Sequence, residues 1–238
     1  MLTPTLFLCF SLTLKATASP SSSCPSNIGP SAVQVRLPPP LDTSSYPAPW
    51  TPPPTGFYFK LWSMIYASDA QYTAFRNLQY DPSPIDASRP KGKVNDLTSF
   101  QLPGNDTIYT SYGIDTPNPQ WPAVLDYAGT GILEGATSQY SLLAWGCDGN
   151  GNPYYASYST AAEATQTPAG IDIMCTEDQG LDEETAGVLI EKLKRLPNEE
   201  VSGLASGLVR TVQDGGRDGL SRVVLVVQPR IYEGVGLG

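Results

Sequence analysis

The stretch YSLLAWGCDGNGNPYYASYST, residues 140–160, sets aromatic side chains on both sides of a Gly-Asn-Gly-Asn turn, in a chain with thirteen tyrosines and no histidine. Without histidine there is no Ser-His-Asp or Cys-His relay and no histidine-containing metal site. The cysteines are not closely spaced, so no zinc motif is present, and neither a metal nor a cofactor is expected. The GNG at 149–151 reads as a hairpin turn, and AGTGILEG lacks the strand-to-helix setting of a nucleotide loop. Aspartates and glutamates occur, but none is marked as an acid–base pair by its neighbours. What remains is a set of hydroxyl groups on apolar rings. Such groups can line a pocket, bond to an oxygen of a small molecule and stabilise charge that develops there.

Strand side chains alternate between two faces, so only half of each strand can line an interior. Tyr140, Leu142 and Ala144 share one face, and Tyr154, Ala156 and Tyr158 share one on the following strand. These faces carry the larger groups, which makes Tyr140, Tyr158 and Tyr154 candidates for the interior. Tyr80, Tyr112 and Tyr127 are equivalent candidates on other strands. In GFYFKLWSM (56–64) two phases compete. Simple hydrophobicity turns Phe57, Phe59 and Leu61 inward; the other phase turns Tyr58, Lys60, Trp62 and Met64 inward. In the second phase Lys60 enters the cavity, where a cation needs an oxygen partner, unless its stem carries the charge to a rim.

The elements that must hold these residues are mostly strands. Segments 56–64, 72–80, 95–102, 106–114, 123–135, the two runs within 140–160, and 170–176 are rich in bulky and aromatic residues, with Pro, Gly and Asn between them. Eight short strands with no helix between them indicate an all-β barrel or sandwich. LDEETAGVLIEKLKRL (181–196) is an amphipathic helix, acidic in its first turn and basic in its last, stopped by Pro197. Residues 19–54 form a Pro- and Ser-rich arm, 55–197 the barrel and helix, and 198–238 a Gly-rich tail in which only RVVLVVQ reads as a strand.

The net charge of −9 argues against nucleic acid and anionic membrane surfaces as partners. Residues 1–18 read as a secretory signal peptide, with an apolar run from Leu6 to Leu14 and Ala-Thr-Ala before the cleavage point. That run is far shorter than the roughly 20 residues a bilayer crossing needs, so no membrane insertion is expected. Asn105-Asp106-Thr107 is a glycosylation sequon that suits the secretory route. Cys24, Cys147 and Cys175 remain after the signal, enough for one disulfide and one structural thiol. Cys24 with Cys147 is the preferred pairing among the three that are open.

Several motifs together resemble a fungal lipocalin-like (calycin) family. Gly56-Phe57-Tyr58 stands where lipocalins have Gly-x-Trp at the start of the first strand, and RNLQY (76–80), NDLTSFQ (95–101), YGIDTP (112–117) and PAGIDI (168–173) come after it in the family's order, before the closing helix. The resemblance implies an eight-stranded antiparallel barrel with one C-terminal helix, holding a hydrophobic small molecule. It also favours the phase that turns Tyr58, Lys60 and Trp62 inward. Cys175-Thr176 stands where lipocalins carry the arginine that covers the barrel floor, so the floor must be built differently here. Some family members are similar to the hetero-Diels–Alderases of tropolone–sesquiterpenoid pathways, which join a quinone methide to a humulene-type polyene. On that analogy Lys60 and Tyr112 are the donors to a substrate oxygen, and Tyr58, Trp62, Tyr80, Tyr127, Tyr140 and Tyr158 form the wall. The alternative is a non-catalytic carrier of a hydrophobic ligand.

Overall fold

A computed structural model describes residues 28–43 and 50–220; the signal-peptide reading, Cys24 and RVVLVVQ lie outside them. The first strand, β1 (Trp62–Ala67), begins at Trp62 rather than Gly56. Gly56 turns the chain with φ 92°. The Phe57 amide then donates to Pro54 O at 3.0 Å and the Lys60 amide to Tyr58 O at 3.0 Å, so residues 54–60 turn instead of extending. A one-turn helix, α1 (Ala70–Thr73), leads into β2 (Arg76–Tyr80), and a two-residue strand, β3 (Ser83–Pro84), precedes β4 (Val94–Gln101). Next come β5 (Tyr109–Pro117), β6 (Val124–Gly129), β7 (Thr137–Cys147), β8 (Pro153–Ser159) and β9 (Gly170–Cys175).

Strands β1, β2 and β4 to β9 pair antiparallel in that order, and β9 pairs back onto β1. The result is a closed, eight-stranded up-and-down barrel of the expected plan. One end is open between α1 and the loops that precede β5, β7 and β9. The other is plugged by residues 50–61. Closure leaves no free sheet edge in the wall, and it forces every strand to choose an inner and an outer face.

The outer face is not solvent-exposed everywhere. Helix α2 (Glu183–Lys194) is capped by Asp182, whose carboxylate accepts from Thr185 N, and α3 (Glu199–Ser206) by Asn198, whose side chain accepts from Val201 N. Leu189, Leu193, Val201 and Ala205 pack with Ile65, Leu143, Tyr154, Tyr158, Ile171 and Ile173 into a core outside the barrel. The Pro-rich arm joins it through Val33 and Leu37. Arg36 anchors the arm by donating to Leu142 O at 2.7 Å and Pro122 O at 2.9 Å, while its guanidinium stacks 3.7 Å from the Trp50 ring centre.

Helix α3 and residues 207–220 belong to the Gly-rich segment, where periodicity alone shows no clear element. Short strand β10 (Val209–Arg210) pairs with Ala67 and Tyr66 of β1. β1 and β2 pair with each other only at Trp62–Tyr80 and Ser63–Gln79. Above that point the two strands part, and residues 209–213 enter between them. The Asn77 amide donates to Val212 O at 2.7 Å on the far side. Downstream, Asp214 accepts from Arg76 Nε at 2.7 Å and Asn77 Nδ2 at 2.6 Å, and Arg217 donates to Asn77 O at 2.6 Å. Residues 209–217 are therefore part of the barrel wall. Their polar contacts satisfy Asn77 and Gln101, which are buried on the outer face.

Candidate functional site

The barrel encloses a cavity of about 180 Å³ that opens at the α1 end. This is below the roughly 300–1,000 Å³ common for small-molecule sites, so the deep part takes one compact ring system. Its walls follow the alternation of the strands. Leu78 and Tyr80 enter from β2, Thr98 and Phe100 from β4, and Met64 and Met174 from β1 and β9. Tyr127, Tyr140 and Tyr155 supply the opposite wall. Tyr127 lies across Gly113, where a Cβ would stand 2.1 Å from its ring, so only glycine permits this ring position.

Four aspartates also line the cavity: Asp69, Asp96, Asp115 and Asp172, with no lysine or arginine among the lining residues. Asp96 and Asp115 sit on adjacent strands, two residue pairs apart in register and so on one face (Val94 opposite Asp115, Asp96 opposite Gly113). Burial raises both carboxyls well above the usual range; the Asp115 charge pushes Asp96 further, while the bond from Tyr80 draws Asp115 back. Tyr58 and Tyr80 hydroxyls are 2.9 Å apart, and Tyr80 donates to Asp115 Oδ2 at 2.8 Å. A relay thus runs from the plugged end to the cavity carboxyl. Asp172 is pushed up to about 8 by burial and then by the Asp69 charge. Asp69 is also raised by burial, against the opposing bond from Gln71 N. Carboxyls whose proton affinity burial raises, facing a cavity, are a source of acid without histidine or metal. These aspartates were not singled out from the sequence.

Several residues expected at the site lie elsewhere. Lys60 does not enter the cavity: its Nζ donates to Phe57 O at 2.7 Å and Gly56 O at 3.4 Å and sits 5.9 Å from the Trp62 ring centre. It caps the plugged end because the turn at 54–60 carries Lys60 away from the strand phase and brings the Phe57 and Gly56 carbonyls to its Nζ. Trp62 opens β1 and is fully buried in the floor against Phe57 and Tyr155. Tyr58 packs on that floor cluster and reaches the cavity only through Tyr80. Lys60 Nζ lies over the Phe57 ring at 4.8 Å and near that of Trp62, so it covers the floor from outside.

Tyr112 is exposed on the outer face of β5, because Ser111, Gly113 and Asp115 take the inner phase. Tyr154 and Tyr158 also point outward, into the core under α2 and α3, where the Tyr158 hydroxyl donates to Glu200 at 2.7 Å. Tyr155 and Ser159 are the inward residues of β8. Tyr80, Tyr127 and Tyr140 line the cavity. Asn105 lies in the loop before β5, its Nδ2 donating to the Tyr109 hydroxyl at 2.9 Å. Cys147 is disulfide-bonded; Cys24, the expected partner, lies outside the described residues. Cys175 is a buried free thiol in the outer core, raised to about 12 by burial, and is no nucleophile for the cavity. Among the described residues no group of three or more Cys, Asp or Glu is arranged to hold a metal ion. No described helix is long and apolar enough to cross a membrane.

Comparison with known proteins adds a sequence relative: botcinic acid biosynthesis cluster B protein 12 of Botryotinia fuckeliana (strain B05.10), 29% identical over 193 residues, covering 76% of this chain and 84% of that protein. No family model matches the chain. Among solved structures, apocrustacyanin C1 and lobster apocrustacyanin A1 each align over 66% of this chain and 78% of their own, at 13% identity and a TM-score of 0.46. The siderocalin Ex-FABP aligns over 65% of this chain and 93% of its own, at 7% identity and the same TM-score of 0.46.

Proposed function

We propose that this barrel is a secretory-route protein of secondary-metabolite biosynthesis that binds an apolar, oxygen-bearing metabolite and transforms it by acid assistance, without a cofactor. The observation that carries the reading is the Tyr58–Tyr80–Asp115 relay ending beside Asp96 in an apolar cavity. The name of the Botryotinia relative supports the biosynthetic setting, and the apolar N-terminal run supports the secretory one.

The reaction we favour is the dehydration of a hydroxymethyl tropolone to its quinone methide, followed by hetero-Diels–Alder addition to a humulene-type polyene. The carboxyl of the Asp96–Asp115 pair that holds the proton gives it to the hydroxymethyl oxygen. The C–O bond breaks, its electron pair leaving with water. The ring hydroxyl then returns a proton to the carboxylate, which restores the pair. The oxadiene and an alkene of the polyene next form one C–C and one C–O bond, leaving one new C=C. No electron acceptor is needed. The carboxyl, held in place by Tyr80, hydrogen-bonds the oxygen on which charge changes, and the wall of Tyr127, Tyr140 and Tyr155 orients the tropolone ring toward the polyene at the mouth. The second reading, a carrier, draws on the cavity of about 180 Å³, which takes the tropolone ring but leaves the polyene at the mouth.

The test is to incubate the purified chain with a hydroxymethyl tropolone and a humulene-type alcohol, and to compare adduct yield and enantiomeric excess with boiled protein. One enantiomer formed above background is expected, with Asp115→Asn slowing it at least tenfold. A racemic adduct at the background rate would remove the catalytic reading and leave the carrier.

A further inference from the structure

The open half of the cavity holds a second carboxyl pair that the Tyr80–Asp115 relay does not reach. Asp69 and Asp172 are 5% and 6% exposed, and both line the cavity. Asp172 lies opposite Ala67 across the β1–β9 pairing, and Asp69 stands two residues beyond Ala67, so the two carboxyls share the inner face near the mouth, where the Asp69 charge acts on Asp172. Asp69 Oδ1 accepts from Gln71 N at 2.9 Å, which fixes that carboxyl. Asp69 Oδ2 and Asp172 Oδ1 are both buried without a hydrogen-bond partner. An unmet buried oxygen costs free energy comparable to a lost hydrogen bond, and natural folds keep few of them without a reason.

We infer that Asp69 and Asp172 form a subsite for an alcohol, with the Asp172 acid donating to the hydroxyl oxygen and the Asp69 carboxylate accepting the hydroxyl proton. Two buried carboxyls that feel each other's charge retain one proton between them. The Gln71 amide favours charge on Asp69, while burial and that charge push Asp172 up to about 8. The other titratable groups that feel Asp172 are Tyr140 on β7 and Tyr155 on β8, both raised above their usual range by burial, and no cation among the described residues lines the cavity. The pair therefore presents one donor and one acceptor. A hydroxyl group answers both. An ether or carbonyl only accepts and leaves Asp69 unmet, and an ammonium only donates and must displace the shared proton. The inference rests on the barrel being a small-molecule site and not on its being a catalyst.

The test titrates the full mature chain by intrinsic fluorescence with farnesol, farnesyl methyl ether and farnesylamine. Farnesol is expected to bind about tenfold tighter than the ether at pH 6.5. That preference should fade above pH 8 as Asp172 loses its proton. Asp172→Leu and Asp69→Leu should abolish the preference while leaving ether affinity unchanged, which also shows that the variants fold. Asp172→Asn keeps a donor and should keep the preference while removing its pH dependence. Equal binding of alcohol and ether by the unaltered protein would overturn the subsite alone, as would a preference that survives Asp172→Leu. Tightest binding by the amine, rising with pH, would assign the pair to a cation instead. Failure of all three probes to bind would remove the small-molecule reading and the subsite with it.

Discussion

Asp172 should make the protein less stable as pH rises from 5 to 8, and Asp172→Asn should remove that slope. The unfolded carboxyl titrates near the ordinary value of about 3.9, whereas in the fold it is pushed up to about 8. Between those values the folded chain binds more protons than the unfolded chain, so stability falls as pH rises. One group fully in this regime contributes about 1.36 kcal/mol per pH unit, or about 4 kcal/mol from pH 5 to 8. Water entering the open cavity lowers that to about 1–3 kcal/mol. Asp115 and Asp96 are raised too and act in the same sense. Asp182 and Asp214 are lowered, so their contribution is lost only at acid pH, below this window. The chain has no histidine to blur the signal. Urea unfolding at pH 5, 6.5 and 8 should show the unaltered protein weakening steadily. Asp172→Asn should match it at pH 5 and exceed it by about 1–3 kcal/mol at pH 8. A stability that stays flat or rises over this range, or an Asn variant with the same slope, would refute the account of these carboxyls.

The packing sets three further outcomes. Lys60→Ala should cost about 1–2 kcal/mol in urea unfolding through loss of its carbonyl bonds and its place over Trp62, yet leave ligand affinity within about twofold. Gly113→Ala should displace the Tyr127 ring, cost about 1–3 kcal/mol, and weaken ligand binding severalfold in the same fluorescence titration. Asp214→Ala should loosen the wedge between β1 and β2, so that the Asn77 amide, bonded to Val212 O, exchanges with deuterium faster while amides of the β6–β7 pairing do not.

The barrel was legible because its signals are local: alternating bulky residues, turn residues between them, and a helix with matched end charges. The phase of individual strands was not, for a physical reason. On β8 both faces are buried, one by the cavity and the other by α2 and α3, so size could not say whether Tyr154 and Tyr158 or Tyr155 point inward. On β7 a register shift between Leu142 and Ala144 changes the phase midway, sending Leu142 and Trp145 to the inner core and Leu143 to the outer one. Lys60 followed the assumption that 56–64 is one strand, which the turn at 54–60 breaks. The aspartates did leave a trace. NDLTSFQ, YGIDTP and PAGIDI each carry a lone acid amid strand residues, a costly choice unless a cavity needs it. The tail stayed obscure because its role is a tertiary one: it fills a gap between strands more than a hundred residues earlier, and nothing in its own periodicity reports that gap.

Carbon-13 carboxyl NMR on aspartate-labelled protein, with and without hydroxymethyl tropolone, tests most directly whether the interior acids meet the ligand. The account expects the Asp96 and Asp115 signals to move on binding, while Asp182 and Asp214 on the exterior stay where they are. A ligand that binds without moving the interior signals would contradict it and put the binding site outside the barrel.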